Sequence, residues 1–220
     1  MFLPRNIDLI DLFVKVAVLL TAFPVHEFAH AAMAIRLGDD TPIRQGRYTL
    51  DPLSHLSLIG SIALLFFGFG WAKPVQTSSR NFKHPRRDLA LVALAGPLSN
   101  ILLALIVMIL DKLMTGFIPA TWGSTLNLIF SYIISLNLLL AVFNLLPIPP
   151  LDGSKIFDAI LPRKACDFVA RHQGPITVLL LVLMYLGILM VPLSILVALL
   201  TKFLNFITIP VDLLVAAIIS

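Results

Sequence analysis

Residues 9–37 read LIDLFVKVAVLLTAFPVHEFAHAAMAIRL, and the reading of that run decides the fold. At about 1.5 Å per residue, a helix of this length outreaches a hydrocarbon core of about 30 Å by a turn or two. It predicts a membrane helix, yet its second half carries His26, Glu27 and His30. Two histidines four apart fall on one helix face, so both imidazoles can reach a single metal ion. Glu27, the only glutamate in the chain, stands beside the first of them, where a general base belongs. Ionisable groups set among Leu, Val, Ala and Phe are costly to hold in lipid and mark a functional site. Pro24, just before the pair, removes one backbone hydrogen bond and predicts a local kink.

The rest of the composition agrees with a lipid solvent. Of the 220 residues, 59% are hydrophobic and 13% charged, with a mean hydropathy of +0.97. A soluble domain carries about 45–50% apolar and about 25% charged residues. The chain is therefore expected to be an integral membrane protein that crosses the bilayer several times. Cys166 is the only cysteine, which excludes an intramolecular disulfide and a thiolate cluster. The net charge of +4 suggests cytoplasmic loops rather than a nucleic-acid partner. The N-terminus lacks the basic region and cleavage site of a signal peptide, so the first apolar run is expected to be retained.

Taken in order, Leu9–Leu37, Leu89–Leu110, Leu126–Leu146, Ile176–Val191 and Leu193 to about Pro210 read as spans. Between the first two, Gly38–Asp51 reads as turns with a short strand at Arg47–Leu50. Leu56–Trp71 is short for a crossing and fits a re-entrant segment, which must be covered by protein or line a wet cavity. The fold class expected is an all-α polytopic membrane protein with about five transmembrane helices. To these are added one re-entrant or short segment and a small β element after the first helix. One membrane-embedded domain would occupy residues 1–220, with its core at about 9–160 and a helical scaffold at about 174–220. In the second span, Ala95, Gly96 and Ser99 allow close backbone approach, and Asn100 reads as an interhelical hydrogen-bonding group.

A catalytic zinc site takes three protein ligands and keeps one position open. His26 and His30 are two, and the third must come from elsewhere. His84 and His172 sit in basic loops, His55 beside a short apolar segment, and Asp152 follows the proline run at the end of the third span. The basic stretches Lys73–Arg87 and Lys155–Arg171 are assigned to the cytoplasm. The first span then runs inward, which brings its His pair to the depth of Asp152. Asp152 is the candidate third ligand, its other reading being a turn aspartate in Asp-Gly. His55 reads as a residue holding a loop.

HEFAHA (His26–Ala31) with NLLPIPPLDG (Asn144–Gly153) resembles the site-2 protease family of intramembrane zinc metalloproteases, in its compact branch without PDZ or CBS domains. The likeness extends through RLGDDT (Arg36–Thr41), GRYTLDPLSH (Gly46–His55), GWAKPV (Gly70–Val75) and NFKHPRRDLALVALAGPLSN (Asn81–Asn100). Ser57 departs from the pattern, because the branch usually has aspartate there. The resemblance implies one zinc ion held by His26, His30 and Asp152, with Glu27 as general base. It also implies Asn144 near the site, against the substrate backbone or oxyanion. The expected activity is cleavage of transmembrane protein substrates within or near their membrane segments, at a multi-pass cell-membrane site facing the cytoplasm. The alternative is a catalytically silent or metal-transporting membrane protein. A transporter would carry ionisable residues along several spans, and the last two hold only Lys202.

Overall fold

The computed structural model describes residues 9–55, 57–60, 62, 73–115, 118 and 120–219. Helix α1 (Leu9–Arg36) carries Pro24 inside it. The loop after it holds two single-turn helices, α2 (Thr41–Arg44) and α3 (Pro52–His55). A 3-10 turn at Ser79–Asn81 leads to α4 (Pro85–Thr115), which has Pro97 within it. Next come α5 (Ala120–Asn144) and two short helices, α6 (Asp152–Ile160) and α7 (Arg163–Arg171). The chain ends in α8 (Gln173–Tyr185), α9 (Met190–Ile207) and α10 (Ile209–Ile219).

All regular structure among the described residues is helical. Among the described residues, three helices are long and apolar enough to cross a membrane: Pro85–Met114, Thr125–Asn144 and Met190–Ile207. A fourth crossing results if α7 and α8, bent by 70° at their junction, count as one. The short strand expected at Arg47–Leu50 is corrected to an irregular bend. Its polar groups turn to local partners: Thr49 O meets the His55 ring at 2.8 Å, and Arg47 donates to Ser54 O. Tyr48 stacks on Phe28 of α1 with ring centroids 5.0 Å apart. The re-entrant segment expected at Leu56–Trp71 lies almost entirely outside the described residues.

Small residues let α1, α4 and α5 come together. Ala22, Ala31 and Ala34 of α1, Ala93 and Ala104 of α4, and Ala141 of α5 are all fully buried. In lipid there is no hydrophobic drive between helices, so close backbone approach and interhelical hydrogen bonds must hold them. Below the site, Ala104, Val107 and Met108 pack against Ile134 and Leu138 of α5 and Leu204 of α9. The outer surfaces are as apolar as a core: Val178, Leu179, Val191, Leu199 and Phe203 are all exposed. Such a surface is unsuited to water and expected of helices facing acyl chains.

Two further features set the height of α6. Gly153 lies so close to the end of α5 that a Cβ there would sit 2.2 Å from Leu146 O and 2.3 Å from Leu145 O. Only glycine allows this seating, and it delivers Asp152, the first residue of α6, to the interior. At the other end, Arg86 of α4 donates to the Asp158 and Leu161 carbonyls. These belong to the last turn of α6, whose carbonyls lack helical partners.

Candidate metal centre

The two imidazoles stand one turn apart on α1, because residues i and i+4 share a helix face. His26 and His30 are 4% and 8% exposed, and their rings meet edge to face with centroids 4.6 Å apart. Asp152 arrives from α6, also 8% exposed. Its Oδ2 lies 3.2 Å from His26 Nε2 and 3.1 Å from His30 Nε2, and the two Nε2 atoms are 3.1 Å apart. Three ligand atoms thus form a small, nearly equilateral triangle. With bonds of about 2.0 Å, the ligand atoms of a tetrahedral zinc lie about 3.3 Å apart, so the triangle matches one face of that tetrahedron.

The protonation pattern can be worked outward from backbone carbonyls, which only accept. Asn137 Nδ2 donates to Ile133 O at 2.9 Å, which turns its Oδ1 towards Asn100. Asn100 Nδ2 donates to that Oδ1 at 3.1 Å and to Ala22 O at 3.3 Å, leaving Asn100 Oδ1 facing His26. His26 Nδ1, 2.5 Å away, must therefore be the donor. His30 Nδ1 likewise donates to Val92 O at 2.7 Å. In its neutral form each ring then carries its proton on Nδ1 and presents a bare lone pair at Nε2. This is the arrangement by which a partner beyond the ligand fixes the tautomer and aims the ring at a metal. Two lone pairs and a carboxylate oxygen at mutual contact distance repel one another unless a cation lies among them. Described His, Cys, Asp and Glu residues form no other group of three with ligand atoms this close.

Gly96 of α4 closes the site from the opposite side. A Cβ there would fall 2.4 Å from His30 Nε2 and 2.7 Å from His26 Cε1, inside the space the ligands surround. Lys155, one turn along α6, lies 3.7 Å from the outer oxygen, Oδ1.

Glu27 is 8% exposed, and its Oε2 accepts the Val75 amide at 2.9 Å. Val75 belongs to the irregular stretch 73–78, which is tied down at both ends. Lys73 N donates to His55 O at 2.7 Å, and Ser78 N donates to Asp39 Oδ2 at 2.7 Å. Asp39, fully buried, also accepts from Asn81 Nδ2, Thr41 N and Thr41 Oγ1. Burial alone would raise the Asp39 carboxyl; these donors outweigh it and hold the group below its usual range.

The remaining expected residues are placed otherwise. Asn144, at the end of α5, donates Nδ2 to Leu140 O at 2.9 Å and makes no hydrogen bond to His26, Glu27, His30 or Asp152. His55 is buried and holds the Thr49 carbonyl. His84 and His172 are exposed, and His172 Nδ1 bonds Phe168 O. Sequence reasoning left four contributors without a role at the site: Asn100, Gly96, the Val92 carbonyl and the Val75 amide. Two of them had a legible signal: Asn100 as a polar residue within a span, and Gly96 through the small-residue cluster that it shares with Ala95 and Ser99.

Comparison with known proteins agrees with this chemistry. The profile of Peptidase family M50 matches residues 114–188. The candidate zinc metalloprotease YwhC of Bacillus subtilis is 44% identical over 177 residues, covering 78% of this chain and 81% of that protein. The candidate zinc metalloprotease Rip2 of Mycobacterium tuberculosis is 34% identical over 171 residues, covering 74% of this chain and 63% of that one. A third, MJ0611 of Methanocaldococcus jannaschii, named in the same way, is 32% identical over 152 residues, or 69% and 72% of the two chains. No solved structure matches the chain significantly.

Proposed function

This chain belongs to peptidase family M50, the site-2 proteases, and is a membrane zinc metalloprotease; from that premise we propose that it hydrolyses peptide bonds within or near transmembrane segments of membrane-protein substrates. One observation carries the assignment of the site: His26 Nε2, His30 Nε2 and Asp152 Oδ2 converge within 3.2 Å, while both Nδ1 atoms are committed elsewhere. These three residues hold one zinc ion. When bound, zinc supplies a Lewis acid that polarises a carbonyl and lowers the pKa of water towards neutrality.

The chain's own groups do the rest. Glu27 takes the proton of the attacking water and returns it to the leaving amine. The Val75 amide, bonded to Oε2, fixes that carboxylate and leaves Oε1 for the proton. His26 and His30 keep their protons on Nδ1, so neither competes with Glu27 as base. Asn144 contributes at the substrate backbone or oxyanion once a substrate is present. A helical segment hides its carbonyls in its own hydrogen bonds, so the substrate must unwind locally before cleavage.

Counting α1 with the three long helices and the α7–α8 pair makes five crossings in one membrane-embedded domain over residues 1–220. The basic residues around Lys73–Arg87 and Lys155–Arg171 support the reading in which the metal centre lies towards the cytoplasm. The test is Glu27→Gln and His30→Ala in purified protein, read by elemental analysis and by cleavage of a membrane-spanning substrate. Glu27→Gln should retain zinc and lose cleavage, and His30→Ala should lose both. Full cleavage by Glu27→Gln would overturn the assignment.

A further inference from the structure

An open cleft of about 770 Å³ lies between the start of α4 and helices α6 and α7, and none of His26, Glu27, His30 and Asp152 lines it. Its rim carries His84, Arg86, Arg87 and Arg163, and no carboxylate is among its lining residues. Arg86 spends its donors on neutral carbonyls, so its charge is not cancelled. Arg87 pairs with Asp88, while Arg163 makes no ion pair among the described residues. The positive end of the α4 dipole adds to the same field.

Inside this rim the wall is apolar: Leu91 and Leu94 of α4 face Ile156 and Ile160 of α6. The apolar track continues beyond the cleft. Leu91, Leu98 and Leu102, spaced seven and four apart on one face of α4, are 37%, 50% and 56% exposed. That face continues along the apolar helix Pro85–Met114, which is long enough to cross a membrane, and the cleft lies at its basic first turns. On the other side, Ile160 and Phe168 are exposed beside Arg163, Lys164 and Arg171. Apolar and basic side chains interleaved on short helices are the pattern of segments lying in an anionic interface.

We propose that this cleft binds an anionic phospholipid, its phosphate headgroup at the Arg87–Arg163 rim and an acyl chain along Leu94, Leu91 and Leu98. A free anion would use the rim and leave the wall uncovered, and an apolar helix would leave Arg163 without an anionic partner. An anionic lipid satisfies both. The site is independent of the chemistry at the metal centre, so its failure leaves the proposed function untouched.

The test is native mass spectrometry and titration of the full chain in nanodiscs, with phosphatidylglycerol and phosphatidylcholine as probes. The wild type should retain phosphatidylglycerol in preference to phosphatidylcholine. Arg163→Gln should weaken retention about five-fold, the effect of one basic charge near an anionic surface, and Arg87→Gln combined with it should weaken it further. Ile160→Gln should weaken both lipids. Inorganic phosphate and a glutamate-rich peptide should not displace phosphatidylglycerol. The proposal is overturned by equal retention of the two lipids, by unchanged retention in Arg163→Gln with native helical content, or by displacement with either competitor.

Discussion

Replacing Asn100 by leucine should weaken zinc binding without touching a ligand. Asn100 is fully buried and is the hinge of the chain that runs from Ile133 O through Asn137 to His26. Leucine is similar in volume but cannot accept from His26 Nδ1. The ring is then free to move its proton to Nε2, the atom that should bind the metal. Loss of a group that orients a metal-ligating histidine costs about 10–100-fold in affinity, or about 1.4–2.8 kcal/mol. Asn137 Oδ1 also loses its donor, and an unsatisfied buried acceptor costs about 1–3 kcal/mol of stability. Asn100→Asp separates the two effects. Its carboxylate still accepts from His26 Nδ1, so zinc affinity should stay near wild type, but it has no donor for Asn137 Oδ1, so thermal stability should fall. The assay is competition against a zinc-chelating dye, with thermal unfolding of the same samples. Wild-type zinc affinity in Asn100→Leu would refute the tautomer argument, whatever happened to stability.

Other perturbations probe the neighbouring contacts. Val75→Pro removes the amide that holds Glu27 Oε2, in a stretch outside any helix; kcat should fall about ten-fold or more with zinc content unchanged, because hydrogen bonds to charged groups are worth about 1.5–3 kcal/mol. Gly96→Ala would put a methyl group 2.4 Å from His30 Nε2, so the purified protein should contain little or no zinc by elemental analysis. The Asp39 carboxyl is held below its usual range in the folded chain, so its stabilising contribution is fully present above its unfolded pKa of about 3.9 and is lost as pH falls through the lower folded value. The difference in melting temperature between wild type and Asp39→Asn should therefore be constant near neutrality and shrink below about pH 4; a difference that grew on acidification would contradict the four-donor arrangement.

Much of the fold was legible because its signal is local. Apolar length alone marks the cores of α4, α5 and α9, since a crossing needs a continuous run and the bilayer sets how long it is. The strand expected at Arg47–Leu50 shows the weakness of short segments. Four residues with one stacked tyrosine and one captured carbonyl can satisfy themselves without pairing, and periodicity cannot distinguish the two states. The junction of α7 and α8 was unreadable for a related reason: a 70° bend leaves no mark in hydropathy.

The metal centre divides along the same line. His26, Glu27 and His30 could be grouped from sequence because a helix converts spacing into direction. Asp152 meets the histidines across 122 and 126 residues of chain, so no local spacing groups it with them; it was reached through the need for a third ligand and the direction of the spans, and again through its motif. By itself, then, the sequence marked the chain as one suited to lipid and grouped two candidate ligands and a candidate base on one helix. Tertiary structure alone decided which atoms are left bare to receive the metal. Those decisions are made by Asn100, by the carbonyl of Val92 and by the amide of Val75, and by the empty space at Gly96. Every residue has a carbonyl and nearly every one an amide, so nothing in the identity of Val92 or Val75 announces the role. Only the packing of α4 and the 73–78 stretch against α1 assigns it.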